Sequence, residues 1–123
     1  MKVQRNKIII FILIIISAIN LCPGHSYAGK NEDLISAAKE GNVSLIKKLL
    51  SEGADVNAED KIFGKTALMW AANKGHTEAV KLLIEKGADV NAEDKIFGKT
   101  ALMSAAGSGY TEAVKFLIEK GAG

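Results

Sequence analysis

The chain has 123 residues, of which 48% are hydrophobic and 24% are charged, and its formal net charge is +2. The basic excess comes from Lys2, Arg5 and Lys7 near the N-terminus, since residues 29–123 carry a net charge of −1. The composition therefore offers no basic patch of the kind that binds nucleic acid, and we expect no nucleic-acid partner. The length allows one small domain with a modest core.

The first 28 residues have the pattern of a secretory signal peptide. The positive start is followed by an unbroken apolar run over residues 8–16, which a Pro-Gly pair at residues 23–24 is expected to end. Ser26 and Ala28 place small residues where a signal peptidase cuts. The sequence therefore predicts export to the periplasm or the exterior, with cleavage after Ala28.

Two alternatives remain for this segment. An uncleaved membrane anchor is disfavoured because the strongly apolar stretch spans only about 12–14 residues, against the ~20 that cross a bilayer. Membrane contact is expected only if the segment stays uncleaved. A lipidated Cys22 is disfavoured because Asn20 and Leu21 are not the small residues that lipoprotein processing favours. With cleavage after Ala28, the mature chain has no cysteine and no disulfide.

A block of 33 residues occurs twice almost unchanged, with a period of 34 residues. The segment NAEDKIFGKTALM runs from Asn57 to Met69 and again from Asn91 to Met103. A repeat of this period predicts a solenoid, in which each unit buries its apolar face against its neighbours. The positions that differ between the two copies are Trp70/Ser104, Asn73/Gly107, Lys74/Ser108, His76/Tyr110, Leu82/Phe116 and Asp89/Gly123.

Within one copy, the residue pattern predicts two short helices. Thr66 is placed to cap the first helix through its hydroxyl, and Gly75 is expected to end it. The second helix is expected from about Thr77 to Lys86, with Thr77 again as the cap residue and Gly87 as the stop.

The second helix is amphipathic, and a polar connector comes before the first. Val80, Leu83 and Ile84 fall on one helical face by their spacing. Residues 54–64 are polar and rich in turn formers, so they predict a hairpin-like connector. We call residues 54–64 the second finger and the matching residues 88–98 the third finger.

The second unit contains Gly64-Lys65-Thr66-Ala67-Leu68, Ala71-Ala72, Gly75-His76, Leu83-Ile84 and Gly87-Ala88-Asp89-Val90-Asn91-Ala92. The third unit repeats this pattern, and two short antiparallel helices with a protruding turn resemble the ankyrin repeat. The resemblance covers essentially all of residues 29–123. It implies an all-α ankyrin-repeat solenoid of about three helix-turn-helix units, at about residues 30–63, 64–97 and 98–123.

The resemblance also implies a non-catalytic module for protein–protein interaction. Together with the signal pattern, it predicts a short exported family member of bacterial origin that binds a folded protein through its fingers and the helix surface beside them. The alternatives are a membrane-tethered accessory protein of the cell envelope and a secreted host-directed effector.

The first unit is a diverged copy and is interpreted as an N-terminal cap. Glu32 and Asp33 replace the Thr-Ala pair of the second unit, and Lys48 replaces the apolar Leu82. Polar residues at otherwise apolar positions are expected on an outer face that meets water.

Each finger is one residue longer than is usual for the family and carries an Ile-Phe pair, at Ile62-Phe63 and at Ile96-Phe97. Stacked units are expected to line these pairs up as an apolar row for a partner. The alternative is that one residue of each pair folds inward over its own helices. The predicted partner-binding residues are Lys61, Ile62, Phe63, Lys65, Trp70, Asn73, Lys74, Lys95, Ile96, Phe97 and Lys99.

Trp70 and the end of the third unit each allow two interpretations. Trp70 is expected to bury against a neighbouring helix, or else to anchor a partner on the concave surface. The last unit keeps Val114, Phe116, Leu117 and Ile118 without a switch to polar residues. We expect either a shortened array or an apolar end that meets another molecule, for example a second copy.

The sequence carries little that supports catalysis. His25 and His76 are the two histidines, and His25 lies in the predicted signal. We therefore expect no enzyme activity, no metal and no cofactor. The Glu-Asp pairs at residues 59–60 and 93–94 are interpreted as solvated turn residues, with a weak cation site as the alternative.

Overall fold

A computed structural model describes the backbone of residues 23–123 and the side chains from Gly29 onward. The apolar run of the predicted signal peptide lies outside the described residues. Over residues 23–123 the chain forms six helices in three antiparallel pairs. The helices are α1 (Pro23–Glu40), α2 (Val43–Ser51), α3 (Ala67–Lys74), α4 (Thr77–Glu85), α5 (Ala101–Ser108) and α6 (Thr111–Glu119).

The predicted ends of α3 are confirmed, and α5 repeats them. Thr66 Oγ1 accepts a hydrogen bond from Met69 N at 3.3 Å, and Thr100 does the same for Met103. These bonds satisfy backbone N–H groups that have no partner in the first helical turn. Gly75 ends α3 with φ of 75°, a left-handed conformation that side chains with a Cβ rarely adopt.

The predicted start of α4 at Thr77 is confirmed, but Thr77 is the first helical residue and not its cap. The cap position belongs to His76, which makes no capping bond with its side chain. Its ring instead contacts the preceding unit, with Nε2 2.9 Å from the carbonyl oxygen of Lys39. α4 ends at Glu85, within one residue of the prediction, and Gly87 follows with φ of 95°.

Helix α1 begins inside the predicted signal peptide. Pro23 stands at its start, where a missing backbone N–H costs no helical hydrogen bond. The backbone is therefore helical across the peptide bond after Ala28. Among the helices of residues 23–123, none combines the length and the apolar character needed to span a bilayer.

The helices form two layers. The inner layer contains α1, α3 and α5, and the outer layer contains α2, α4 and α6, with closer contact between neighbours in the inner layer. Alanine side chains allow this close approach, because they keep backbones apart by only a methyl group. The fully buried alanines of the inner layer are Ala37, Ala38, Ala67, Ala71, Ala72, Ala101 and Ala105. The outer helices meet the core through Ile46, Leu49, Val80, Leu83 and Leu117.

Asparagine side chains tie each unit to the next. Asn57 Oδ1 accepts from Asp89 N at 2.8 Å, and Asn57 Nδ2 donates to Gly87 O at 3.4 Å. Asn91 makes the equivalent pair of bonds to the turn after α6. In the first unit α1 takes over this task, since Asn31 Oδ1 accepts from Asp55 N at 2.9 Å. Every turn that follows an outer helix is thus held by an asparagine.

The first unit has the polar outer helix expected of an N-terminal cap. Lys48 is exposed, whereas Leu82 at the matching position is buried. Lys30 Nζ donates to Glu52 O at 3.0 Å, so α1 also holds the end of α2. The helical segment that precedes the unit occupies the place that a finger has in the other two.

We predict that Asn57→Ala lowers the free energy of unfolding by about 1–2 kcal/mol, because it leaves the turn at residues 87–89 without its inter-unit hydrogen bonds. Chemical denaturation followed by far-UV circular dichroism measures the loss. The matched control is Asn73→Ala, which removes one long bond of 3.4 Å to Ser108 and is expected to cost less than about 0.5 kcal/mol. Equal losses in the two variants would contradict the role given to Asn57.

Candidate functional site

Both finger tips are built around an aspartate carboxylate. Asp60 Oδ1 accepts from the backbone N–H groups of Ile62 at 3.0 Å and Phe63 at 2.6 Å. Asp60 N donates to Lys65 O at 2.8 Å, which closes the turn. One antiparallel bridge, between Glu59 and Thr66, is the only strand-like pairing in residues 23–123. The predicted hairpin-like finger is therefore present, and its tip is held rigid.

The third finger repeats this construction. Asp94 Oδ1 accepts from Ile96 N at 3.0 Å and from Phe97 N at 2.6 Å, and Asp94 N donates to Lys99 O at 2.9 Å. The two fingers also touch, since Lys95 N donates to Phe63 O at 3.3 Å. The tips therefore lie side by side.

The predicted apolar row is exposed. Ile62 is 76% exposed, Phe63 37%, Ile96 52% and Phe97 70%. The alternative of an inward-folded residue holds in part for Phe63, which meets the ring of Trp70 edge-to-face at a centroid distance of 6.1 Å. We call these four side chains the tip row.

The side chain of Trp70 is partly buried, and its indole N–H is hydrogen-bonded. Its Nε1 donates to Asp60 Oδ2 at 2.7 Å, so the indole is fastened to the second finger. Lys39 Nζ lies 4.3 Å and Lys65 Nζ 4.7 Å from the ring centroid, within the range of cation–π attraction. The contact of Trp70 with the first unit is thus made through a lysine of α1.

The third unit has no counterpart to this arrangement, because Ser104 stands where the second unit has Trp70. Ser104 is buried, and Phe97 is far more exposed than Phe63. Asp94 is 4% exposed, and its Oδ2 has no hydrogen-bond partner among the described residues. Two fingers of identical sequence therefore have different surroundings.

The aspartates of both fingers favour their charged form. At Asp60, burial alone would raise the pKa, but hydrogen bonds from Phe63 N–H, the Trp70 indole and two further backbone N–H groups outweigh it and lower the pKa. At Asp94, the Phe97 N–H is the largest cause of a lowered pKa, against the opposing effect of burial. The positive charge of Lys65 adds to the lowering.

The predicted lysines line the tip row. Lys95 Nζ lies 2.9 Å from Glu59 Oε2, and Lys61 Nζ lies 3.6 Å from Glu32 Oε1. Lys65 and Lys99 stack instead on the phenylalanine of their own finger, each at 5.5 Å from the ring centroid. These exposed ion pairs contribute little to stability. Their effect is to place charged groups around an apolar strip.

Asn73 and Lys74 do not join this cluster. They lie at the far end of α3, about 10 Å along the helix axis from the finger. Asn73 accepts a hydrogen bond from Ser108 Oγ, and Lys74 is exposed. The structure therefore brings together nine of the predicted binding residues. They are Lys61, Ile62, Phe63, Lys65, Trp70, Lys95, Ile96, Phe97 and Lys99.

Sequence reasoning missed the part that α1 plays at this site. A groove of about 580 Å³ lies between α1 and the second finger, and Ile35, Lys39 and Ile62 are among its lining residues. Lys39 was not predicted as a site residue, because it comes from the diverged first unit. Asp60 and Asp94 were predicted as solvated turn residues; both do hold the turns, but Asp94 is only 4% exposed and is therefore not solvated.

The surface of the third unit that faces away from the second unit is apolar and exposed. Met103 is 54% exposed, whereas Met69 at the matching position is 1% exposed under α5. Tyr110 and Ile118 are exposed on the same unit. This surface is chemically the one that the second unit buries against its neighbour.

The titratable groups near the fingers have structural partners. Glu59 pairs with Lys95, Asp60 closes a turn, and His76 contacts a backbone carbonyl. Within the described residues, no three histidine, cysteine or acidic side chains gather in a way that could hold a metal ion.

The comparison with protein families agrees with the fold. The family model described as "Ankyrin repeats (3 copies)" matches residues 34–123, which is well over half of the chain. The chain therefore belongs to the ankyrin repeat family, and the predicted all-α ankyrin-repeat solenoid is confirmed. Members of this family are typically non-catalytic and generally mediate protein–protein interaction.

Curated relatives are similar over a shorter segment. The chain is 48% identical over 48 residues to "Mitochondrial disaggregase" of Bos taurus and 46% identical over 48 residues to the protein of that name from Homo sapiens. The matched segment is 39% of this chain and 7% of each relative. The chain thus spans less than a tenth of the length of these relatives, and the likeness concerns that segment alone.

We predict that Asp60→Asn lowers the free energy of unfolding at neutral pH by about 1–2 kcal/mol. An amide oxygen still accepts from the finger N–H groups, but an amide nitrogen cannot accept from the Trp70 indole. Because folding lowers the pKa of Asp60, its contribution is present above the ordinary pKa of 3.8 and is lost as the pH falls through the folded value. The difference between the two proteins should therefore shrink in acid.

Denaturation monitored at a series of pH values by the fluorescence of Trp70, the single tryptophan of the chain, measures this difference. Circular dichroism on the same samples separates a change in the finger from global unfolding. Glu85→Gln, at an exposed position on α4, serves as the control. A destabilisation that stays constant down to pH 2 would show that the charge of Asp60 does not matter.

Proposed function

We propose that this chain is an exported, non-catalytic module that binds a folded protein through the tip row and the adjacent surface of α1 and α3. The observation that carries the proposal is the exposure of four large apolar side chains on finger tips that carboxylates hold rigid. A soluble protein gains nothing from such exposure unless a partner covers it.

The construction of the fingers suits binding. A rigid tip loses little conformational entropy when it is covered, so more of the hydrophobic gain appears as affinity. The lysines beside the tip row form a polar rim around an apolar centre, which is the usual arrangement of a protein interface. Trp70 adds a large aromatic surface that is already fixed by Asp60.

The N-terminal pattern supports export. The positive start, the apolar run over residues 8–16 and the small residues Ser26 and Ala28 are the features of a signal peptide. We infer a periplasmic or secreted mature protein, and bacterial origin stays a prediction. If the apolar segment remains attached, the same module would act as a tethered accessory protein of the envelope, and in a host-associated bacterium as an effector.

A second copy of the chain is the other partner that an observation favours. The exposed Met103, Tyr110 and Ile118 form a face that would be covered by self-association. In this case the assembly would use the third unit, and the tip row would remain accessible.

We predict that a chain tagged after Gly123 retains a specific protein from the envelope or secreted fraction of the source cell, and that changing Ile62, Phe63, Ile96 and Phe97 to serine abolishes the retention. All four side chains are exposed, so the variant is expected to keep the fold, which circular dichroism verifies. The matched control changes the exposed outer-face residues Met103 and Ile118 to serine.

Retention that is lost with the tip-row variant and kept with the control supports the proposal. Retention that survives loss of the tip row contradicts it and moves the site to other helix surfaces. Capture of copies of the same chain, lost only in the Met103 and Ile118 control, would establish self-association instead.

We predict that the chain recovered from the source cell begins at Gly29, and intact-mass measurement checks this. Ala28→Tyr is the control, because a bulky residue before the cleaved bond blocks signal peptidase. A wild-type mass that includes residues 1–28 would exclude a cleaved signal and favour the membrane-tethered form.

A further inference from the structure

We propose that the third finger holds a binding site for a tryptophan side chain of the partner protein, next to Ser104 and against Asp94 and Phe97. The proposal rests on the protein-binding function inferred above and names the chemistry that one part of the interface recognises. The second and third units have fingers of identical sequence, but only the second unit has a tryptophan, Trp70, beside its finger.

The second unit shows how an indole is held. Trp70 Nε1 donates to Asp60 Oδ2 at 2.7 Å, and the edge of the ring system meets Phe63 at a centroid distance of 6.1 Å. Lysine ammonium groups lie over the ring at 4.3 and 4.7 Å. A carboxylate oxygen, an aromatic ring and cations thus define the site.

The third unit repeats this frame without the indole. The finger sequence is identical, and Asp94 and Phe97 take the places of Asp60 and Phe63. Lys99 stacks on Phe97 at 5.5 Å, as Lys65 does on Phe63. The side chain at the tryptophan position is the much smaller Ser104. The difference in volume is roughly that of an indole ring.

The unpartnered oxygen indicates what the site lacks. Asp94 Oδ2 is buried and has no hydrogen-bond partner among the described residues, whereas the matching oxygen of Asp60 has the indole N–H. A buried acceptor without a donor costs free energy, and an uncharged N–H group that reaches it recovers that cost. Phe97 is likewise left 70% exposed without an aromatic partner.

The surrounding charge selects a neutral ring over a cation. Lys65 lies close enough to Asp94 to help lower its pKa, and the ammonium group of Lys99 lies over the ring of Phe97. These ammonium groups repel a guanidinium and attract the face of an aromatic ring. Because Oδ2 is shielded from solvent, an indole reaches it only after the side chains that cover it move aside. Tryptophan combines the flat ring with the N–H donor.

The test titrates the isolated full chain, labelled with ¹⁵N, with N-acetyltryptophanamide and follows the backbone amide signals of the third finger and α5. We expect saturable shifts at Phe97 and Ser104, and at least tenfold weaker binding of N-acetylphenylalaninamide, which has the ring without the indole N–H. N-acetylargininamide, a flat cationic donor, should bind no better than the phenylalanine compound.

Two variants probe the same site. Ser104→Trp supplies an indole from the chain itself, so it should fold, raise the denaturation midpoint and abolish the shifts. Asp94→Asn keeps the acceptor that holds the finger but replaces Oδ2 with a donor, and should weaken binding at least tenfold. Glu85→Gln, at an exposed position on α4 away from both fingers, is the control and should leave binding unchanged.

The proposal is overturned if no saturable shift occurs, if the phenylalanine or arginine compound binds equally well, or if Ser104→Trp fails to fold or still binds the amide. Failure of this test leaves the capture experiment with the tip-row variant unaffected. Conversely, indole binding without partner capture would show that the site exists and that the tip row is not the wider interface.

Discussion

Each unit of this chain buries its inner helix by stacking on the neighbouring units. Met69 and Met103 occupy the same place in identical sequence, yet the first is buried and the second is more than half exposed, because within residues 23–123 a further inner helix covers Met69 alone. The alanines of α1, α3 and α5 make this stacking close. Close stacking fixes the spacing of the units, and the spacing in turn places the fingers side by side.

The fingers depend on this stacking but are stiffened by their own chemistry. Asp60 and Asp94 bind the backbone N–H groups of the residues at the tip, and Lys95 N bonds to Phe63 O between the two fingers. Phe63 packs partly inward against Trp70, whereas Ile62, Ile96 and Phe97 are each more than half exposed beside the same turns. The exposed row is thus a consequence of the turn geometry, and its width is set by the helices beneath.

Much of this could be predicted from the sequence because it is local. The cap at Thr66, the helix end at Gly75 and the turn of the second finger each depend on a few neighbouring residues, and the repeat supplies a second copy for comparison. Errors arose where distant residues decide. The ring of His76 contacts the Lys39 carbonyl of the preceding unit, and Lys39 reaches Trp70 from a unit whose sequence has diverged. The partial burial of Trp70 could not be predicted either, because it depends on the hydrogen bond from the indole to Asp60 Oδ2.

The near-identity of the two fingers makes their differences informative. The segment from Asn57 to Met69 is unchanged in the third unit, so the greater exposure of Phe97 and the unpartnered oxygen of Asp94 cannot arise from the finger itself. Two features beside the finger differ: Ser104 stands in place of Trp70, and within residues 23–123 the second finger alone has a following finger packed against it, through Lys95. A partner that spans both fingers therefore meets the same apolar tips twice but two different backgrounds, one filled by the protein's own indole and one left to be filled. The surface therefore has a defined direction along the array, with Trp70 beside one finger and Ser104 beside the other.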